Sequence, residues 1–87
     1  MICYIIRDSL TNLFKIGRCK NFKSRFSTLS TGNLHLEPYF TLSYLTESYL
    51  HKMYKKQRVS KEWFQLDKKD LQEILELEEE LFKQTLG

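Results

Sequence analysis

Two short apolar segments separated by a turn constrain the fold of this chain more than any other feature. Residues 2–6 are apolar and partly β-branched, a pattern typical of a buried strand. Residues 8–12 include Asp, Ser, Thr and Asn, whose side chains readily hydrogen-bond to the backbone of a turn. Because residues 13–17 again have the pattern of a strand, the sequence predicts a β-hairpin over residues 2–17.

The next segment predicts a helix and a third strand. Asn21 is a favourable N-cap for a helix over about residues 22–30. Gly32 can end that helix in the left-handed conformation. Residues 39–44 alternate and are rich in aromatic side chains, which indicates a strand.

The second half of the chain predicts two more helices. Thr46 can cap a helix over about residues 47–57. Residues 58–62 are polar, which predicts a loop, and residues 63–66 form a short apolar patch. A last helix is expected over about residues 68–84, because apolar residues recur there at helical spacing.

These segments predict a single α+β domain over residues 1–87. Its sheet would be small, three-stranded and antiparallel, flanked by helices in the order β-β-α-β-α-(short segment)-α. Residues 67–87 would form an acidic, amphipathic C-terminal helix. That helix either covers the domain's own core or docks against the basic body of another copy.

Composition and charge restrict the class of protein. No apolar run approaches the roughly 18–20 residues of a membrane span, so we expect no membrane partner. Cys3 and Cys19 are too few for a disulfide framework or a zinc site, which favours free thiols in an intracellular, reducing compartment. Residues 1–61 carry a formal charge of +8 and residues 62–87 carry −5. A basic body suits a polyanionic partner, although an ordinary solvated surface has the same composition.

Five short motifs follow one another within residues 2–66. They are Y-I-I-R at residues 4–7, F-K-I-G at residues 14–17, Arg25 with T-G-N at residues 31–33, Glu47 with His51, and E-W-F at residues 62–64. The set resembles the GIY-YIG nuclease superfamily, and more closely its viral, phage and fungal branch, whose second motif reads K-I-G. Three features depart from the superfamily pattern: Ile2 replaces the first glycine, Lys15 replaces the tyrosine of the second motif, and the late asparagine has no clear counterpart, with Glu62 in its neighbourhood.

The resemblance implies a DNA endonuclease domain that hydrolyses phosphodiester bonds with one divalent cation. Its catalytic residues would be Tyr4, Lys15, Arg25 and Glu47. Glu47 would bind Mg²⁺ or Mn²⁺ through its carboxylate, and Arg25 would clamp two phosphate oxygens. Either Tyr4 or Lys15 would act on the attacking water, as base or as orienting group. Each side chain also has a structural interpretation, as core aromatic, solvent-facing cation or complement to a helix N-terminus.

Six more side chains are predicted to contact the DNA: Arg18, Lys20, Lys23, Asn33, His35 and His51. His51 has an equally plausible structural role, and Asn33 and His35 can instead be turn residues. A viral or phage protein of this kind would act as a monomer or weak homodimer in the cytoplasm or nucleus of its host. The alternative function is a catalytically weak or inactive nuclease-fold module that binds nucleic acid, for which the replacement at Lys15 leaves room.

Overall fold

The first hairpin forms where the sequence predicts it. In the computed structural model, which describes residues 1–86, strand β1 (Ile2–Asp8) pairs antiparallel with strand β2 (Leu13–Cys19). The Asp8 carboxylate accepts hydrogen bonds from the backbone N–H groups two and three residues on, at 2.9 and 3.4 Å. Asn12 completes the turn with a φ of 60°, a left-handed conformation that asparagine tolerates better than most residues.

The sheet has five antiparallel strands, so the prediction of three strands and of their order was wrong. Strand β3 (Leu36–Leu42) pairs with β1 on one side. Two short strands, β4 (Arg58–Ser60) and β5 (Trp63–Phe64), extend the sheet beyond β2, giving the order β3-β1-β2-β5-β4. Strands of three and two residues are too short for a periodicity signal, and pairing with β2 rather than local propensity forms them.

Strand β3 begins three residues earlier than predicted and ends at Leu42. Pro38 fits within it because β3 is an edge strand, where one missing N–H donor costs little. Its pairing with β1 shifts register in the middle, leaving Tyr39 as the extra residue of a β-bulge.

Helix α1 (Phe22–Ser30) has the predicted bounds and caps. The Asn21 side chain accepts a hydrogen bond of 3.0 Å from the N–H of Ser24. Gly32 follows the helix with a φ of 73°, in the left-handed region that glycine enters without a steric penalty.

Helix α2 (Glu47–Met53) is shorter than the predicted helix over residues 47–57. Thr46 caps it as expected, accepting from the N–H three residues on at 3.1 Å. The chain then tightens into a 3₁₀ turn (Lys55–Gln57), because it must change direction to enter β4.

The last helix, α3 (Lys68–Leu86), packs against the domain's own core. Asp70 and Asp67 cap its start reciprocally, each carboxylate accepting from the other's N–H at 2.8 and 3.0 Å. Ile74 is fully buried, and Leu71, Leu77 and Leu81 of the same helix pack against the same core. Within residues 1–86, no helix is both long enough and apolar enough to cross a membrane.

Both faces of the sheet are covered. The larger core includes Ile5, Ile16 and Phe64 and packs against α2 and α3. The smaller core contains Tyr4, Ile6 and Cys19 and packs against the phenylalanines of α1. Both cysteines are free and buried, one in each core.

Candidate active site

The candidate site lies at the edge of β2 that β5 leaves open. Strand β5 pairs only with Phe14 and Lys15 of β2. The next residue, Ile16, donates its N–H to the carbonyl of Glu62 at 2.9 Å. Its own carbonyl lies 2.9 Å from Nε2 of His51, which must carry the proton because a carbonyl only accepts. These two contacts bring α2 and the β4–β5 hairpin to the same point of β2.

Tyr4 reaches this edge by lying across a glycine. It pairs with Gly17 in the register of β1 and β2. A Cβ atom at Gly17 would lie 2.5 Å from both Cζ and the hydroxyl oxygen of Tyr4, closer than van der Waals contact permits. The other side of the ring packs against Phe22 of α1, with ring centroids 5.7 Å apart. The missing side chain at Gly17 therefore sets the position of the phenol.

Charged side chains from several elements affect the pKa of Tyr4. Burial and the nearby carboxylate of Glu62 raise the pKa of Tyr4 to about 12, against an opposing effect from the Arg25 guanidinium. Glu47 contributes a smaller increase. Arg25, Glu47 and Glu62 thus all lie within electrostatic range of one phenol. At neutral pH that phenol is protonated, and its hydroxyl can both donate and accept a hydrogen bond.

Lys15 is held by an ion pair beside Tyr4. Its Nζ lies 2.5 Å from Oε2 of Glu62 and 5.8 Å from the centre of the Trp63 ring, the residue opposite it in β5. Burial raises the pKa of Glu62, but the hydrogen bond and charge of Lys15 outweigh burial and hold that pKa below its usual value. An electrostatic effect of His51 lowers it further.

Glu62 is the site residue that the sequence-based assignment missed. Its signal is the E-W-F motif at residues 62–64, in which the sequence analysis assigned Glu62 no catalytic or binding role. The carboxylate pairs with Lys15 and helps to raise the pKa of Tyr4, so it belongs to the same cluster.

Glu47 is the first residue of α2 and is half-buried. It lines a depression with Arg18, Thr46 and Cys3, and its charge helps burial to raise the pKa of Cys3 to about 12. Among the described residues, no three His, Cys, Asp or Glu side chains are placed to hold a metal ion. A divalent cation at Glu47 would therefore take most of its ligands from water and phosphate, which is how Mg²⁺ usually binds.

The cations of the α1 side line a second depression. Arg25 and Lys20 lie there with Asn21 and Ser24, and all four are exposed. Lys23 is also exposed on α1, two residues before Arg25. No ion pair neutralises Arg25 within residues 1–86, so its guanidinium remains available to an anionic ligand.

Asn33 and His35 lie away from this cluster. The Asn33 side chain accepts from the N–H of His35 at 3.1 Å, and the His35 carbonyl accepts from Ser9 at 2.9 Å. These contacts place both residues beside the hairpin turn, at the Asp8 end of β1 and far from its Cys3 end. They stabilise a turn, and contact with DNA at these positions stays a prediction.

Comparison with protein families identifies the class of domain. The fold is a small α+β domain of nuclease type. The model of the T5orf172 domain matches residues 1–79, so the chain belongs to the T5orf172 domain family, which is phage-associated. The chain matches none of the curated proteins and none of the solved structures with which it was compared.

Proposed function

We propose that this chain is a metal-dependent DNA endonuclease domain of the GIY-YIG superfamily, in the branch whose second motif reads K-I-G. What supports the proposal is that Lys15 and Glu62 pair at the edge of β2, and that Glu62, Arg25 and Glu47 all influence the pKa of Tyr4, which lies across Gly17 of the same strand. Tyr4, Lys15, Arg25 and Glu47 come from four different elements, as is common for the residues of a functional site.

Glu47 is the proposed metal ligand. Its half-buried carboxylate borders an open depression, which fits a hard cation that keeps several waters. When bound, Mg²⁺ or Mn²⁺ would neutralise charge on the phosphoryl and leaving oxygens.

Arg25 is the proposed phosphate clamp. Its guanidinium is exposed, and its five donors can bind two phosphate oxygens at once. Lys20 lies in the same depression and Arg18 lies beside Glu47, and together with Lys23, which is exposed elsewhere on α1, they would hold the backbone of the DNA in register.

Tyr4 and Lys15 have different proposed roles toward the attacking water. The neutral phenol of Tyr4 can accept a hydrogen bond from the attacking water while its own O–H donates to a neighbouring acceptor, which orients the nucleophile. Because the Lys15 ammonium pairs with Glu62, we assign it a charge role rather than that of the base. His51 positions α2 through its hydrogen bond to β2.

A second function has one observation in its favour. Lys15 stands where the superfamily has a tyrosine and its ammonium is held by Glu62, which suits a module that binds nucleic acid with little or no turnover. Such a module would bind DNA with an affinity that falls with salt and would cut it at no metal concentration.

Cleavage of a panel of DNAs separates the two functions. Single-stranded, duplex and branched DNAs would be incubated with Mg²⁺, with Mn²⁺ or with EDTA, using wild type and Glu47→Gln. The proposal expects metal-dependent cleavage by wild type, no cleavage by the variant, and equal binding by both in EDTA. Binding without cleavage by wild type under every metal condition would favour the inactive module.

A further inference from the structure

A second basic surface extends from the site along the connection between α2 and β5. We call residues 52–61 the basic segment. No acidic residue occurs between Glu47 and Glu62, and the segment carries five exposed cations: Lys52, Lys55, Lys56, Arg58 and Lys61. Within residues 1–86, none of the five forms an ion pair. Their repulsion is uncompensated in the isolated domain, as in a surface that meets a polyanion.

The position of the basic segment ties it to the site. It starts one residue after His51, which contacts β2, and it ends one residue before Glu62, which pairs with Lys15. Between these points it forms the 3₁₀ turn and the outermost strand β4. A ligand bound at the open edge of β2 therefore meets this segment as it leaves the site.

The backbone of Lys61 gives a second, independent indication. Lys61 lies at the tip of the β4–β5 hairpin with a φ of 45°, in the left-handed region that favours glycine or asparagine. A lysine there is disfavoured for folding, and residues held in such conformations concentrate at functional sites. Lys61 is exposed and directly precedes Glu62, so its backbone lies next to the Lys15–Glu62 pair.

We propose that the basic segment is a binding surface for the sugar–phosphate backbone of duplex DNA, which it holds as the duplex leaves the site. The inference rests on the proposed DNA partner and assigns a set of phosphate contacts separate from those of Arg18, Lys20, Lys23 and Arg25. These cations have a structural explanation as well, because charge on an edge strand opposes pairing with the edge strand of another copy. If that were their only role, removing them would leave the salt dependence of DNA binding unchanged.

Salt-dependent binding tests the assignment without any cleavage. The affinity for a duplex of about 20 base pairs would be measured in EDTA at several salt concentrations. Each neutralised phosphate contributes about 0.9 to the slope of log K against log salt. The variant Lys55→Gln/Lys56→Gln/Arg58→Gln should therefore lose about 2 to 3 from that slope.

A matched control removes the same charge elsewhere. The variant Lys68→Gln/Lys69→Gln/Lys83→Gln neutralises three lysines of α3 and leaves the same net charge. It should change the slope by less than about 1. Equal slopes in the two variants, or no change in either, would overturn the inference.

Lys61→Gly supplies a test that instability cannot mimic. Removing the side chain relieves the left-handed backbone, so the melting temperature should rise by a few degrees. The slope should nevertheless fall by about 1. A more stable variant with an unchanged slope would refute a phosphate contact at Lys61. If the slopes change as expected and wild type never cuts, the endonuclease proposal fails and this surface stands.

Discussion

Gly17 and Tyr4 form a cross-strand pair. Because Gly17 has no side chain, the phenol ring of Tyr4 can lie across it. The space above Gly17 is filled by the end of the Tyr4 ring, with 2.5 Å between the hydroxyl oxygen and a hypothetical Cβ. The K-I-G motif thus has a steric reason for its glycine, and the reason lies on the neighbouring strand.

The substitution Gly17→Ala tests this pairing. The added methyl group should displace the Tyr4 ring, costing about 1 to 3 kcal/mol of unfolding free energy through overpacking. It should also lower the cleavage rate, because the phenol no longer lies at the edge of β2. Gly32→Ala is the control, since it strains a backbone with a φ of 73° in open space and should leave the rate unchanged. Equal effects of the two variants on the rate would contradict the account.

Acid denaturation tests the pair between Lys15 and Glu62. The folded-state pKa of Glu62 is lowered from its usual value of 4.5, so its stabilising contribution is present above pH 4.5 and is lost as the pH falls through the folded value. The side chain of Glu62 is 39% exposed, which limits the contribution to about 1 kcal/mol. The unfolding free energies of wild type and Glu62→Gln in urea should therefore differ at pH 7 and converge once the pH falls below the folded-state pKa of Glu62. A constant difference at every pH would exclude the ion pair as its cause.

At the residue scale, motif spacing selects individual side chains but not the pairs that form between distant parts of the chain. It selected Tyr4, Lys15, Arg25 and Glu47, whose roles in a site stay predictions. Glu62 was missed because its partner lies 47 residues away and only the pairing of β5 with β2 brings them together.

At the scale of elements, predictions succeeded where the sequence pattern of a segment was long and failed where pairing with a neighbouring strand determines the structure. Helix α1 and the first hairpin have strong caps and turn residues, so their bounds were predictable. Strands β4 and β5 form because β2 offers an unpaired edge, and their sequence carries no repeat. The same pairing shortened α2, since the chain must leave the helix to enter β4.

Glu78 of α3 gives the acidic helix a structural role. Its carboxylate accepts hydrogen bonds from the backbone N–H groups of Ser43, Tyr44 and Leu45, at 2.7 to 3.2 Å. These groups belong to the loop that leads into α2, so α3 fixes the approach to the helix that carries Glu47.

Replacing Glu78 tests that link. Glu78→Gln removes the charge that three donors share and should cost about 1.5 to 3 kcal/mol of unfolding free energy. The control Glu80→Gln changes an exposed carboxylate two residues away and should cost less than about 0.5 kcal/mol. Urea denaturation of both variants measures the difference, and equal costs would show that the contacts of Glu78 contribute nothing specific.

At the scale of the whole molecule, charge is divided between a basic body and an acidic last helix. Ile74 and three leucines of α3 pack against its own core, while Leu75, Phe82 and Leu86 are exposed among the charges of its outer surface. Dimers held by that charge would dissociate in salt. We expect light scattering to give the mass of a monomer, 10.5 kDa, at low and at high salt. A mass that doubles at low salt would instead indicate association through α3.

The central claim is that Glu47 holds the metal ion of a nuclease site at the open edge of β2. The most direct measurement is the single-turnover rate of plasmid nicking in Mg²⁺ by wild type, Glu47→Gln and Glu79→Gln. Glu79 is an exposed carboxylate on α3, so its replacement controls for the loss of one negative charge. The account predicts a rate at least about 100-fold lower for Glu47→Gln and nearly unchanged for Glu79→Gln. Nicking by Glu47→Gln as fast as by Glu79→Gln would contradict it.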